Sequence, residues 1–203
     1  MITGIILAAG ESKRMRESRG VDTPKQLLPW QNTIMLQHVI DNVTVSQLNK
    51  ILVVLGYNAD EIASQLKISS SVRILFNPDF KVGMSSSLKL GIRNISSDTM
   101  AFMVLLGDQP LIDSDIINKL IDSYRLSQHG IVIPVHLGHR GHPIIFDRQY
   151  RDELLSISDQ IAREVIKAHS EDVFEVNVDS SKIFVDIDTF QDYTAVKAQI
   201  EPA

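Results

Sequence analysis

The sequence contains no cysteine in its 203 residues, which excludes disulfides, thiolate metal centres, iron–sulfur clusters and a cysteine nucleophile together. It also lacks any apolar run near the roughly 20 residues that a membrane helix requires, so no membrane partner is expected. Positive charge is in deficit: 20 Lys and Arg stand against 25 Asp and Glu, a formal net charge of −5. A chain that binds nucleic acid needs the opposite excess to neutralise phosphates, so nucleic acid is not an expected partner. The apolar N-terminus, Met1-Ile-Thr-Gly-Ile-Ile-Leu-Ala-Ala-Gly10, has no positive region ahead of it. Its charges, Lys13, Arg14 and Arg16, follow the run, the reverse of a secretory signal, which points to a buried first strand and a cytoplasmic location. No internal repeat, low-complexity tract or linker interrupts the chain, and its length is about 1.4 times a typical domain of about 150 residues. One domain over residues 1–203 is therefore expected.

What is present is ordinary in amount, 44% hydrophobic and 22% charged, which argues for a packed core rather than disorder. Its arrangement carries more. Short β-branched runs alternate with amphipathic stretches, the mark of βαβ units feeding an α/β fold with a mostly parallel sheet. The expected strands are Ile2 to Leu7, Ile51 to Leu55, Val72 to Phe76, Ala101 to Leu106, Ile131 to Pro134, Ile144 to Phe146, Phe174 to Val178 and Ile183 to Ile187. The expected helices are Ile34 to Val45, Asp60 to Lys67, Ser86 to Ile95, Asp113 to Ser127, Ile161 to Ala168 and Phe190 to Ile200, with Asp113 as an N-cap. In open α/β sheets ligands sit beyond the carboxyl ends of the strands, so the residues that follow the strands are read first.

The first such loop, Leu7-Ala-Ala-Gly-Glu-Ser-Lys-Arg-Met15, has small residues that let a ligand approach the backbone. Its N–H groups, with Lys13 and Arg14, suit an anionic triphosphate; the plainer reading is a tight turn with solvated charges. It matches neither a Walker A loop nor GxGxxG. Lys25 is a second candidate phosphate ligand. Asp108, in Leu105-Leu-Gly-Asp108-Gln-Pro-Leu111, emerges at a strand's carboxyl edge, where a carboxylate can hold Mg²⁺ or simply end the strand in a turn. In Ile183-Phe-Val-Asp-Ile-Asp-Thr189 a strand would place Phe184, Asp186 and Asp188 on one face. One of these carboxylates suits a metal, with Asp186 preferred because Asp188 is spaced to cap the last helix. Ser85, Ser86 and Ser87 follow Gly83 at a helix start, where at least one would be an N-cap. Three histidines in His136-Leu-Gly-His-Arg-Gly-His-Pro143 invite a zinc reading, but the glycines and proline speak against a helix there, and a substrate loop is favoured.

Taken together, Leu7-Ala-Ala-Gly-Glu-Ser-Lys-Arg-Met15, Lys25 with Leu28-Pro-Trp30, Gly83-Met-Ser-Ser-Ser87, Gly107-Asp-Gln-Pro110, Arg140-Gly-His-Pro143 and Asp186-Ile-Asp-Thr189 resemble the molybdenum cofactor cytidylyltransferases of the MobA-like nucleotidyltransferase superfamily. The resemblance covers nearly the whole chain in order. It implies a three-layer α/β/α Rossmann-like nucleotidyltransferase fold with a mostly parallel mixed sheet. It further implies transfer of CMP from CTP to the terminal phosphate of molybdopterin, with Mg²⁺ and release of pyrophosphate. By the same resemblance residues 1–110 bind nucleotide, through Leu7, Ala8, Ala9, Gly10, Ser12, Arg14, Lys25, Gly83, Ser86, Ser87 and Asp108. Arg14, Lys25 and Asp108 would be catalytic, and Asp108 with Asp186 or Asp188 would hold metal. Residues 111–203 would shape the acceptor side, with Arg140, Gly141, His142 and Pro143 lining it beside Gln109 and Pro110. The product would pass to a molybdenum hydroxylase.

Ala8-Ala9-Gly10 and Leu28-Pro-Trp30 resemble the cytidylyl branch more than the guanylyl branch, whose first loop usually reads Ala-Gly-Gly. Two departures stand out: Arg16 to Pro24 lengthen the segment before Lys25, as a lid would, and Phe190 replaces the usual proline. The competing expectations are a transferase using GTP or another small phosphate acceptor, and a non-catalytic molybdenum cofactor carrier.

Overall fold

The computed structural model describes residues 1–19, 23–156 and 161–200. The first strand, β1 (Ile2–Ala8), is buried at every position, as a strand covered on both faces must be, and it leads to α1 (Lys13–Arg19). A short hairpin of β2 (Pro29–Trp30) and β3 (Thr33–Ile34) runs into α2 (Met35–Thr44). Three strand–helix units follow: β4 (Lys50–Leu55) with α3 (Ala59–Gln65), β5 (Val72–Phe76) with α4 (Met84–Arg93), and β6 (Ala101–Leu106) with α5 (Ser114–Ser127). The C-terminal third comprises β7 (Ile131–His136), β8 (His139–Arg140), β9 (Ile144–Asp147), α6 (Arg151–Ser156), α7 (Ile161–Ala168), β10 (Val173–Asn177) and α8 (Phe190–Ile200).

The main sheet has the order β10-β7-β9-β6-β1-β4-β5, with β8 paired to β7. β1 is parallel to β4 and β6, β4 to β5, and β10 to β7, whereas β9 is antiparallel to both neighbours. The expected mostly parallel mixed sheet is therefore observed. The chain leaves β1 toward β4 and β5, then returns to lay β6 on the other side. This reversal makes the carboxyl ends of β1 and β6 a topological switch point, where a crevice must open.

Alternation along each strand divides the core in two. Ile2, Ile6, Val53 and Met103 pack against α2 and α5, while Ile5, Leu7, Val54, Phe102 and Val104 face α4, α6 and α7. A Cβ on Gly91 would lie 2.4 Å from the Ile5 side chain, so only glycine lets α4 lie this close to β1. A third cluster, Met15, Leu28, Trp30, Met35, Ile187, Tyr193 and Val196, sits apart from the sheet and joins α1, the hairpin and α8.

Several expectations need correction. Ile183 to Ile187 is not a strand: Ser181–Phe184 forms a 3-10 turn, closed by Val185 N–H on the Lys182 carbonyl and capped by the Ser180 hydroxyl, which accepts from Lys182 N–H. The Ile183 carbonyl accepts from His142 N–H and the Ile187 N–H donates to the Asp108 carbonyl, single bonds to two different segments rather than a ladder to one. Ile183 and Ile187 are still buried, but in different clusters. Asp188 does not cap α8. Thr189 does, its hydroxyl accepting from Asp192 N–H while the Asp192 carboxylate accepts from Thr189 N–H, a reciprocal box that leaves Asp188 available. No serine caps α4, which starts two residues early at Met84 with Gly83 at its N-cap. The two hairpin strands at Pro29–Trp30 and Thr33–Ile34, and β8, were too short to give a period in the sequence. Of the lengthened segment before Lys25, residues 16–19 are helical and residues 20–22 lie outside the described residues.

Asp113 is the N-cap of α5, accepting from Ile116 N–H at 3.1 Å and from the Lys182 ammonium at 2.8 Å. Partial burial works against its charge, but these two donors outweigh burial and hold its pKa below the ordinary carboxylate value. A depressed pKa contributes stability at neutral pH that is lost as pH falls through it. Asp113→Ala is expected to lower unfolding stability by about 1 kcal/mol at about pH 7. The deficit should shrink as pH drops below about 4, as read by urea denaturation across that range.

Candidate functional site

A cavity of about 390 Å³ opens at the switch point. Its floor is the end of β1 and the loop after it, Leu7 to Arg14; one wall is Leu106, Gly107 and Asp108 at the end of β6, and the other is Phe80, Lys81, Gly83, Met84 and Ser87. Lys25, Gln26 and Asp188 close the side.

The loop after β1 is held by its carbonyls. Gly107 N–H donates to Leu7 O (2.9 Å), Gln26 Nε2 to Ala8 O (3.0 Å), Tyr57 N–H to Ala9 O (3.2 Å) and Arg16 N–H to Ser12 O (3.0 Å). In a planar trans peptide the N–H of the next residue points opposite to each carbonyl. The N–H groups of Ala9 and Gly10 are therefore turned away from these partners, and neither has an acceptor among the described residues. A Cβ at Gly10 would meet no protein atom within 4 Å, so the space over the loop is open to a ligand that approaches these N–H groups. Gln26 is buried and its other amide atom accepts weakly from Ser12 Oγ at 3.4 Å, so one side chain braces both ends of the loop. Close packing sets the walls as well. A Cβ on Gly107 would fall 2.8 Å from Ala8 Cβ, and one on Gly56 would fall 2.4 Å from Phe80 Cβ.

The charges converge on Lys25. Its side chain is only 10% exposed, yet Nζ lies 2.6 Å from Asp108 Oδ2 and 2.9 Å from Asp188 Oδ1. Burial alone would lower its pKa, but the two carboxylates outweigh burial and raise it, so the ammonium stays charged. The second Asp188 oxygen accepts from Arg14 Nη2 at 2.9 Å, and Arg14 is 71% exposed. Asp186 is turned elsewhere, accepting from Gln109 Nε2 at 2.7 Å. Burial raises its pKa; the Gln109 hydrogen bond opposes this, and the nearby Asp108 and Asp188 charges add to it. Burial also lowers the pKa of His142, with Asp108 pulling the other way.

Of the residues singled out in the sequence, Leu7, Ala8, Ala9, Gly10, Ser12, Arg14, Lys25, Gly83, Ser87 and Asp108 all line the cavity. Ser86 does not: it spans the loop behind, 2.9 Å from the carbonyls of Asp79 and Gly83 and accepting from Asn77 Nδ2. Gln109, Pro110, Gly141, His142, Pro143 and Asp186 lie outside the cavity lining, although His142 and Asp186 both feel the Asp108 charge. Arg140 points to the surface, with Nε 2.7 Å from Glu175. Among the described residues no three His, Asp or Glu side chains form a metal-holding group, which removes the zinc reading of His136, His139 and His142. The two carboxylates Asp108 and Asp188 do suit Mg²⁺, which takes one or two protein carboxylates and keeps several waters. The sequence reading gave no role to Gln26, Phe80, Lys81 or Met84. Phe80 and Lys81 lie in Asn77-Pro-Asp-Phe-Lys-Val-Gly83, the loop that follows β5, and that place beyond a strand's carboxyl end was the available signal.

The family model of the MobA-like NTP transferase domain matches residues 4–173. The chain is 27% identical over 196 residues to the molybdenum cofactor cytidylyltransferase of Escherichia coli (strain K12), covering 95% of this chain and 94% of that one. It is 28% identical over 160 residues to the nicotine blue oxidoreductase of Paenarthrobacter nicotinovorans, covering 76% and 75%. Among solved structures, Rv0371c from Mycobacterium tuberculosis H37Rv superposes with a TM-score of 0.82 at 25% identity over 97% of both chains. The manganese complex of the same protein gives 0.78. The two curated relatives are named for different chemistries, so likeness of this degree fixes the frame and leaves the reaction to the site.

Replacing Lys25 by methionine keeps the volume but leaves Asp108 and Asp188 facing each other. Lys25→Met is expected to cost about 1–3 kcal/mol of stability, less than breaking a fully buried pair because both carboxylates retain contact with water. If the pair can hold a divalent cation, millimolar Mg²⁺ or Mn²⁺ will raise the melting temperature of the variant more than that of the parent. No differential rise would show that the two carboxylates do not act as a cation site.

Proposed function

This chain belongs to the family of MobA-like NTP transferase domains and is a nucleotidyltransferase, and from that premise we propose that it transfers CMP from CTP to the terminal phosphate of molybdopterin. The observation that carries the reading is one constellation: a glycine loop whose Ala9 and Gly10 N–H groups have no acceptor among the described residues, two cations and two carboxylates, all at the switch point. A pocket for hydride transfer to a dinucleotide has no need of that charge set, and the loop lacks the GxGxxG spacing.

In the proposed reaction an oxygen of the acceptor phosphate forms a bond to the α-phosphorus of CTP. The bond from that phosphorus to the bridging oxygen breaks, and pyrophosphate leaves with the electron pair. No protein nucleophile is needed; positioning and charge neutralisation do most of the catalysis. The N–H groups of Ala9 and Gly10 orient the triphosphate, and Arg14 and Lys25 neutralise its oxygens. Mg²⁺ held by Asp108 and Asp188 would supply further neutralisation of the phosphate charge. Asp188 takes this place rather than Asp186, because Asp188 lines the cavity and shares Lys25 with Asp108, whereas Asp186 lies outside the lining. Gly83 and Ser87 face the base and ribose, with Ser86 shaping their loop.

The acceptor lies on the side of Gln109, Pro110, Gly141, His142 and Pro143, within residues 111–203 and the end of β6. Arg140 joins it only by leaving Glu175. The preference for CTP rests on the resemblance of Ala8-Ala9-Gly10 and Leu28-Pro-Trp30 to the cytidylyl branch. A molybdenum hydroxylase is the proposed recipient of the product.

Pyrophosphate release with molybdenum-loaded molybdopterin, Mg²⁺ and CTP, GTP or ATP in parallel tests the proposal. Release with CTP and a cytidine-bearing pterin product is expected; release only with GTP moves the chain to the guanylyl branch, and silence with every nucleotide removes the reading. Gly10→Ala provides a second check. Its added methyl meets no protein atom within 4 Å, so the melting temperature should hold while the KM for CTP rises about tenfold, since a small displacement of a bound substrate is costly.

A further inference from the structure

The charges around Asp188 are closed on themselves. Asp188 uses both oxygens, one on Lys25 Nζ and one on Arg14 Nη2, each at 2.9 Å, while Asp108 holds Lys25 from the other side. Two cations meet two carboxylates, so the set is formally neutral. A triphosphate approaching alone finds Arg14 and Lys25 already paired, and a divalent cation approaching alone finds both Asp188 oxygens in use and Asp108 sharing one with Lys25.

We infer that Asp188 is an internal stand-in for the substrate phosphates: it holds Arg14 and Lys25 until a divalent cation takes its carboxylate, so that cation and triphosphate bind as a coupled pair. When both arrive, the cation sits on the carboxylates, the phosphates take the released Arg14 and Lys25, and every charge keeps a partner. Each ligand then raises the affinity of the other by the same factor, as linkage requires. This inference rests on the nucleotidyltransferase reading and concerns how that site manages its charge.

The local structure suits an exchange. The backbone of Asp188 is pinned on both sides: Ile187 is fully buried and its N–H donates to the Asp108 carbonyl, while Asp188 N–H donates to Asp192. Its carboxylate, by contrast, has only Arg14 and Lys25 as side-chain partners among the described residues. Arg14 is mostly solvated and can swing at small cost. Asp186 offers an internal comparison, with the same charge two residues away but its carboxylate on Gln109 and on neither cation.

Binding of CTP and of inorganic tripolyphosphate to the full chain, measured calorimetrically with EDTA and with millimolar Mg²⁺, tests the inference. The parent should bind about tenfold or more tightly with Mg²⁺, in the usual range of coupling between sites. Asp188→Asn should bind about tenfold more tightly than the parent in EDTA and gain about threefold or less from Mg²⁺. Asp186→Asn should stay within about threefold of the parent in EDTA. The inference is overturned if Asp188→Asn binds no more tightly than the parent without metal, or if Asp186→Asn tightens as much, which would reveal general charge repulsion.

Should Asp188→Asn fail to fold, Arg14→Gln replaces it, because that side chain is exposed. It must weaken tripolyphosphate binding about tenfold with Mg²⁺ and change it by less than about threefold in EDTA, where Asp188 already occupies the arginine. Equal weakening in both conditions overturns the inference. If tripolyphosphate follows the pattern and CTP does not bind, the inference stands and the nucleotide reading falls; if neither probe binds the parent with Mg²⁺, both fall.

Discussion

An ammonium group removed from water costs several kcal/mol unless opposite charge meets it, and the site is organised around that constraint at Lys25. Asp108 reaches it from the end of β6 and Asp188 from the segment before α8, at 2.6 and 2.9 Å. These three residues come from parts of the chain at least 80 positions apart. The ion pairs alone could not hold them there, because pairing energy largely cancels the cost of burying the charges. Apolar packing sets the positions instead.

The third core cluster does this work. Met15 is beside Arg14 in the sequence, Leu28 lies three residues after Lys25, and Ile187 precedes Asp188; all three are fully buried around Trp30. Trp30 in turn packs near His38 and Tyr193, and the Tyr193 hydroxyl donates to the Pro29 carbonyl at 2.5 Å. The cluster lies off the sheet, so it contributes little to the α/β frame. Its effect is to lock α1, the 3-10 turn Lys25–Leu27 and the start of α8 into one block. The nucleotide loop, braced by Gln26 and Tyr57, rests against that block. Arg14, Lys25 and Asp188 are thus set by a packing unit separate from the sheet that sets Asp108 and the loop after β1, consistent with relatives of similar sequence that are named for different chemistries.

Much of the frame was legible because burial writes a period into the chain. β1, β4, β6 and β7 are covered on both faces and read as continuous apolar runs, and α5 shows its stripe and its Asp113 cap. The same logic misled at Ile183 to Ile187, where alternating apolar residues sit in two different clusters on either side of a turn. Periodicity reports which residues are buried, not whether a neighbouring strand is there to pair with. The cap of α8 was misassigned by one residue for a related reason. Asp188 and Thr189 are both good caps, and only the position of Asp192 decides between them.

The site divides along the same line. Sequence by itself determined the loop after β1, the candidate cations Arg14 and Lys25, and Asp108 at a strand's carboxyl edge, because residue chemistry and place after a strand are local properties. Tertiary structure alone decided that Asp188 joins Lys25 and Arg14 while Asp186 turns to Gln109. It also decided that Arg140 lies at the surface on Glu175, and that Phe80 reaches the cavity over Gly56. Those outcomes depend on which side chains meet across long separations, and distance along the chain carries no record of that.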